Sequence, residues 1–130
     1  MIVLFGGYGT FGVHAARTLA AAGLPVRIAG RDAARADIVA DVNDPVSIAR
    51  ALSGARVAVN CAGPFSTMTL ALPEACLAAG VHYVDIADDR GSPEPWRSSR
   101  PDGCLPWKKR GSRSSSATVI QKERRPFEPP

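Results

Sequence analysis

The 130-residue chain is long enough for one domain with its own core, and 45% of its residues are hydrophobic while only 6% are aromatic. Its three cysteines, Cys61, Cys76 and Cys104, form no C-x-x-C pair, which argues against a disulfide framework and against a metal site. The net charge of +4 is uneven: residues 1–90 carry seven basic and eight acidic residues, and residues 91–130 carry nine basic and four acidic ones. Without a basic leader or a membrane-length apolar run, we expect a cytoplasmic protein with no membrane partner.

The first element is a short apolar run, Ile2 to Phe5, which predicts a parallel strand buried on both faces. A glycine cluster follows it and leads at once into a helix-forming run. Gly7, Gly9 and Gly12 fit the G-x-G-x-x-G spacing of a dinucleotide-binding turn. We assign Gly7 to the chain reversal, Gly9 to the approach of a pyrophosphate and Gly12 to close packing of the helix. The alternative is a glycine-rich turn without a ligand.

The second strand, residues 25–29, ends at the position that reads the adenine ribose in this architecture. NAD enzymes commonly place an acid there, whereas this chain has Gly30 and Arg31. We interpret Gly30 as space for a bulkier group and Arg31 as a partner for a 2′-phosphate, which favours NADP over NAD. Asp32 keeps NAD open, although it is better explained as the cap of the next turn, and Arg31 could also be a solvated surface charge.

Beyond a short third strand, residues 38–40, two roles stay open for Asp41. Its carboxylate could accept a hydrogen bond from the adenine amino group, or it could cap the loop. Asp44 and Pro45 then predict the start of a second helix, with Asp44 as N-cap and Pro45 at the first helical position.

The fourth strand, residues 56–60, leads into Ala62, Gly63 and Pro64. Ligands of open α/β sheets lie at the carboxyl ends of the strands, so we expect these three residues near the nicotinamide half of the cofactor. The alternative is a turn that only reverses the chain. A third helix over about residues 69–79 and a fifth strand over residues 81–86 complete the pattern.

Alternating strands and helices predict an α/β fold, a Rossmann-like parallel sheet of about five strands in the order 3-2-1-4-5 with flanking helices. The fifth strand would leave an exposed sheet edge, through which a homo-oligomer could form. Residues 1–90 form the predicted domain. Residues 91–130 are basic and rich in proline and serine, with one alanine against 20 in the first 90 residues, and predict a disordered C-terminal tail.

Three segments together resemble a known family: Gly6–Gly12, Ala62–Phe65 and Val81–Asp85. Over about residues 1–90 they look like the NADP-binding domain of saccharopine dehydrogenase-like oxidoreductases. The resemblance implies a Rossmann domain that binds NAD(P), with hydride transfer to a small-molecule substrate completed by a second domain. It places Arg31 at the ribose phosphate and Ala62 and Gly63 near the nicotinamide ribose. It also implies a set of pyrophosphate-binding residues: Gly7, Tyr8, Gly9, Thr10, Phe11 and Gly12.

No catalytic residue can be assigned, because Tyr83 has no lysine four residues later and the family's substrate domain has no counterpart here. The sequence therefore predicts the NADP-binding part of an oxidoreductase without its substrate domain. One alternative is a non-catalytic NADP-sensing module, since Gly6, Gly9 and Gly12 also fit the G-x-x-G-x-x-G spacing of such regulators. Another is an inactive truncated product.

The tail has two competing interpretations. Its abrupt change of composition suggests a frame-shifted or truncated end. Its basic run, residues 108–110, could instead contact the phosphates of nucleic acid or an anionic membrane. Because charge runs are usually solvated and no binding motif accompanies this one, we do not expect nucleic acid as a partner.

Overall fold

The computed structural model describes residues 1–64 and 68–86, together with two short strands farther along the chain. Five parallel strands occupy the first part, in the predicted order β3-β2-β1-β4-β5. Their bounds are β1 Ile2–Phe5, β2 Val26–Gly30, β3 Ile38–Val39, β4 Val57–Asn60 and β5 His82–Asp85. Three helices connect them: α1 Gly12–Ala21, α2 Pro45–Ala51 and α3 Ala71–Ala79. The predicted parallel α/β sheet is confirmed.

The central strand β1 carries the core. It pairs with β2 on one side and β4 on the other, and Val3, Leu4 and Phe5 are fully buried. Burial on both faces explains why this strand is an unbroken apolar run rather than an alternating one. Because all five strands point the same way, the segments that follow them emerge at one edge of the sheet.

The helix ends follow local chemistry to different degrees. Asp44 caps α2 as predicted, and Gly80 ends α3 with a left-handed φ of 68°. The start of α1 has no side-chain cap. Phe11, which immediately precedes the first helical residue, is 71% exposed.

Two strands extend the sheet beyond β5. Strand β7, Thr118–Ile120, pairs antiparallel with β5, and β6, Cys104–Leu105, pairs antiparallel with β7. The prediction that β5 is an exposed edge is therefore wrong, and self-association through that edge loses its basis. Three β-branched residues in a row suit a strand, but the run is too short to show a period in the sequence.

These two strands bring five residues of the predicted tail into the sheet. The rest of residues 91–130 lie outside the described residues. So does Phe65, which belonged to one of the segments that carried the family resemblance.

Candidate functional site

A cleft of about 260 Å³ opens at the carboxyl edge of the parallel strands. Segments that follow four successive strands line it, as expected for an open α/β sheet. Seven of the predicted site residues meet there: Tyr8, Gly9, Arg31, Asp41, Ala62, Gly63 and Pro64. The other four, Gly7, Thr10, Phe11 and Gly12, do not line this cleft.

Gly6 opens the turn that reverses the chain after β1, and Gly7 is the second residue of that turn. Its φ of +71° lies in the left-handed region that favours glycine, and its carbonyl oxygen accepts the N–H of Gly9 at 2.9 Å. Gly7 is buried, and a Cβ there would lie 3.0 Å from side-chain carbons of Leu4 and Ile28. Gly7 therefore lies in the chain reversal, as predicted, and it also packs against the core, whereas the left-handed φ belongs to its neighbour Gly6.

Three glycines of the loop, Gly6, Gly9 and Gly12, follow one another at intervals of three residues. A Cβ on Gly12 would collide with the Gly6 carbonyl oxygen and lie 2.8 Å from the Gly7 Cα, so α1 packs directly on the loop. A Cβ on Gly9 would meet only the Gly6 oxygen, at 3.3 Å. Gly6, Gly9 and Gly12 thus form the G-x-x-G-x-x-G spacing, with Gly9 facing the cleft.

The start of α1 is chemically suited to an anion. Among the described residues no side chain caps it, and its first turn holds no acidic residue that would neutralise the positive end of the helix. Thr10 and Phe11 lie exposed beside it. Together with the bare backbone at Gly9, this arrangement fits the diphosphate of a dinucleotide.

Tyr8 covers the end of β2. A Cβ on Gly30 would collide with the Tyr8 hydroxyl group and lie 2.6 Å from its Cε1 atom. The Tyr8 hydroxyl oxygen also accepts the backbone N–H of Asp32 at 3.1 Å. The space at Gly30, predicted to admit a bulkier ligand group, is therefore filled by the aromatic ring of Tyr8.

The carboxylate of Asp32 is engaged within its own turn. One oxygen accepts the Ala34 N–H at 3.0 Å and the other accepts Arg35 Nε at 2.6 Å, which agrees with the predicted capping role. The hydrogen bond from Arg35, followed by that from Ala34, lowers the pKa of Asp32. Arg35 in turn lies over the Tyr8 ring, 4.5 Å from its centroid. Arg31 is left exposed at the cleft.

Asp41 has the capping role that was left open for it, and it also lies at the cleft. Its Oδ1 accepts the Asn43 N–H at 2.9 Å, so it caps the loop, and the residue also lines the cleft. Asn43 was not predicted. Its side-chain oxygen accepts both the N–H and the hydroxyl of Thr69, at 3.0 and 3.1 Å, and so joins the loop after β3 to the start of α3. No local pattern links residues so far apart in sequence.

Asn60 was also missed, although a polar residue at the end of an apolar strand was a usable signal. It is fully buried, accepts the Ala62 N–H at 3.1 Å and donates to the Tyr83 hydroxyl oxygen at 3.1 Å. Burial, and then the negative charge of Asp85, raise the pKa of Tyr83, so its hydroxyl group stays protonated.

Within residues 1–64 and 68–86, no cluster of three or more histidine, cysteine or acidic side chains could hold a metal ion. Over the same part of the chain, no helix is both long and apolar enough to cross a membrane.

Solved structures share this fold. UDP-glucose 4-epimerase from Thermus thermophilus, in complex with NAD, is similar at 21% identity and a TM-score of 0.52, over 62% of this chain and 34% of the epimerase. A Burkholderia pseudomallei protein is similar at 28% identity and a TM-score of 0.54, over 74% of this chain and 58% of its own. The chain thus spans less than two thirds of either structure.

No curated protein matches the chain. The sequence model of the saccharopine dehydrogenase NADP-binding domain, however, matches residues 2–100. That range contains all five parallel strands and every residue of the cleft. The chain therefore belongs to the saccharopine dehydrogenase NADP-binding domain family.

Proposed function

We propose that this chain binds NADP in the cleft, as the cofactor-binding part of an oxidoreductase. The observation that carries the proposal is the uncapped start of α1 beside the bare backbone of Gly9, at the carboxyl edge of a parallel sheet. When bound, the nicotinamide ring of such a cofactor donates or accepts a hydride.

The diphosphate would be held by the glycine loop and the first turn of α1. Gly9 supplies the space for it, and Gly12 lets the positive end of the helix approach closely. Tyr8, Thr10 and Phe11 flank this position, while Gly7 acts through packing against Leu4 and Ile28.

NADP is favoured over NAD by the chemistry at the end of β2. The carboxylate that could hold two ribose hydroxyl groups, Asp32, is already bonded to Ala34 and Arg35. Arg31 lies exposed on the cleft and offers a guanidinium group to a 2′-phosphate. Asp41 would face the adenine.

The nicotinamide half would lie beside Ala62, Gly63 and Pro64. The cleft-lining residues include few groups that could exchange a proton, and one of them, the Tyr8 hydroxyl, is held by the Asp32 N–H. We therefore propose that a second domain supplies the substrate-binding and catalytic groups for a small-molecule substrate.

A second candidate is a non-catalytic NADP-sensing module. The spacing of Gly6, Gly9 and Gly12 favours it, because this is the looser spacing that such regulators share. An inactive truncated product is the third possibility. NADPH binding without turnover of any substrate would support the sensor or the truncated product, whereas hydride transfer by this chain would support the enzyme.

Cofactor titration of two arginine variants tests the proposal. We expect Arg31→Ala to weaken NADPH binding by about tenfold or more and to leave NADH binding nearly unchanged, because a charge-assisted phosphate contact is lost. Arg56→Ala removes the same charge at the opposite edge of the sheet, before β4, and should change neither affinity. Isothermal calorimetry or NADPH fluorescence measures both.

Gly9→Val is the companion test of the diphosphate position. Its side chain would fill the space beside the start of α1, so NADPH binding should be abolished while the fold persists. Equal affinity of the wild-type protein for NADH and NADPH would contradict the role of Arg31. Unchanged binding by Gly9→Val would contradict the whole site.

A further inference from the structure

A buried polar cluster lies directly behind the loop that carries Ala62. Its members are Asn60 at the end of β4 and Tyr83 and Asp85 on β5, and all three are almost wholly inaccessible. Asn60 and Asp85 are direct partners in the register of the two strands. None of the three lines the cleft, so the cluster does not belong to the binding surface itself.

The side chain of Asn60 makes three hydrogen bonds, which pair both of its donors and its oxygen. An asparagine side chain offers two N–H donors and a carbonyl oxygen. Here Nδ2 donates to the Tyr83 hydroxyl oxygen at 3.1 Å and to the Met68 sulfur at 3.7 Å, while Oδ1 accepts the Ala62 N–H at 3.1 Å. Because a buried polar group is costly when it is unpaired, and because the NH2 group and the oxygen have different partners here, these three bonds define a single orientation of the side chain.

That orientation is transmitted to the glycine loop. The N–H of Cys61 binds the carbonyl oxygen of Phe5 at 2.9 Å, and the Ala62 backbone then lies against Gly6. A Cβ on Gly6 would be only 2.8 Å from the Cα and N atoms of Ala62, so the two loops touch backbone to backbone. The position of Ala62 therefore sets the distance between the two walls of the cleft.

We propose that Asn60 is a positioning residue of the dinucleotide site, and that its side chain, oriented by the Tyr83 hydroxyl group, holds Ala62 against Gly6. The cluster thereby fixes the width of the cleft before a ligand arrives. The identity of the ligand rests on the proposed function, but the positioning of the loop does not.

Cys61 provides a reporter that needs no cofactor. It lies in the same loop, lines the cleft and is half-buried, and burial raises the pKa of its thiol. We expect the rate of its alkylation by iodoacetamide, followed by peptide mass spectrometry, to rise about tenfold in Asn60→Ala, since the Ala62 N–H loses its partner. Tyr83→Phe keeps the ring but removes the hydroxyl group that orients Asn60, so the rate of Cys61 alkylation should rise less than in Asn60→Ala.

Two internal references separate this effect from general loosening. Cys76 is buried in the core, where burial raises the pKa of its thiol to about 12, and its labelling rate should stay unchanged. Ile48→Val removes a methyl group from the same core without touching the loop's hydrogen bonds, and should leave Cys61 unaffected. Equal acceleration at Cys61 and Cys76 would overturn the proposal.

NADPH titration of the same variants, well below their melting temperatures, completes the test. We expect about tenfold weaker binding for Asn60→Ala and no change for Ile48→Val. If Asn60→Ala does not fold, Tyr83→Phe tests the proposal in its place. An unchanged rate of Cys61 alkylation in Tyr83→Phe would overturn the inference. If Cys61 is labelled faster in Asn60→Ala but the wild-type protein does not bind NADPH, the role of Asn60 is supported and the NADP proposal is overturned.

Discussion

Helices α1 and α2 both start at the carboxyl edge of the sheet, yet they start in opposite ways. At α2, the side chain of Asp44 accepts the N–H groups of Val46 and Ser47, and Pro45 occupies the first position. At α1, Phe11 precedes the helix without a capping bond and no acid lies in the first turn. No side chain closes the start of α1, whereas the side chain of Asp44 closes the start of α2.

The first turns of the two helices are therefore stabilised in different ways. The start of α2 is stable through residues adjacent in sequence, because a carboxylate and a proline satisfy it locally. The start of α1 depends instead on Gly12 packing against Gly6 and Gly7. At α1, close backbone packing takes the place of a side-chain cap, and the Val13 N–H is bonded to the Gly9 carbonyl oxygen at 3.0 Å.

Gly12→Ala should have the largest effect, because it removes that packing. The new Cβ would collide with backbone atoms of the loop, which cannot rotate away as a side chain can. We expect the free energy of unfolding to fall by about 3 kcal/mol or more, with loss of NADPH binding.

Chemical denaturation followed by circular dichroism measures this loss. Gly63→Ala is the matched control, since a Cβ there meets no atom of the described residues within 4 Å, and its stability should equal that of the wild type. A Gly12→Ala protein as stable as Gly63→Ala would show that α1 does not rely on the close contact.

Phe11→Asp should have the next largest effect, by making the start of α1 resemble that of α2. The exposed Phe11 can be replaced without opening the core, and an added carboxylate would compensate the helix dipole. The same charge would repel a diphosphate, so we expect NADPH binding to weaken by about tenfold or more while thermal stability holds. The control is Phe11→Asn, which is neutral and similar in size to Asp and should bind NADPH more tightly than Phe11→Asp. Equal affinities of the two variants would show that no anionic group of NADPH binds at the start of α1.

Asp44→Ala should have the smallest effect, confined to stability. The melting temperature at neutral pH should fall by several degrees, because two N–H groups lose their cap, and NADPH affinity should not change. The hydrogen bond with the Ser47 side chain, and then that with its N–H, lowers the pKa of Asp44 below 3.8. The contribution of Asp44 to stability is therefore complete above pH 3.8 and is lost as the pH falls further.

Melting curves of both proteins between about pH 7 and about pH 3 check this prediction. The two melting temperatures should differ by a constant amount down to about pH 4 and then converge. A gap that stays constant to the lowest pH would mean that the ionised form of Asp44 adds nothing.

Sequence reasoning succeeded where the physics is local. The bounds of β1 were predicted to the residue from one apolar run, and the cap of α2 from the pair Asp44 and Pro45. The strand order followed from the handedness of parallel crossovers. Each of these features depends on neighbouring residues or on a rule common to the whole fold class.

It failed where residues distant in sequence meet. Gly30 looked like space for a ligand because nothing local shows that Tyr8 covers it. Asn60 looked like the last residue of a strand because its partner Tyr83 lies 23 positions later. The glycine cluster predicted a turn after β1, but nothing local shows that Gly6 takes the left-handed φ, because that residue lies where the loop packs against Ala62.

The ring of Tyr8 on Gly30 has a practical consequence for anyone who exchanges parts between relatives of this chain. If the glycine loop is transplanted with a larger residue at position 8, that residue would clash with the host's own second strand. A smaller residue would leave a cavity against the same strand. The glycine loop and the end of β2 must therefore be exchanged together. A chimaera that takes them from different relatives should express poorly.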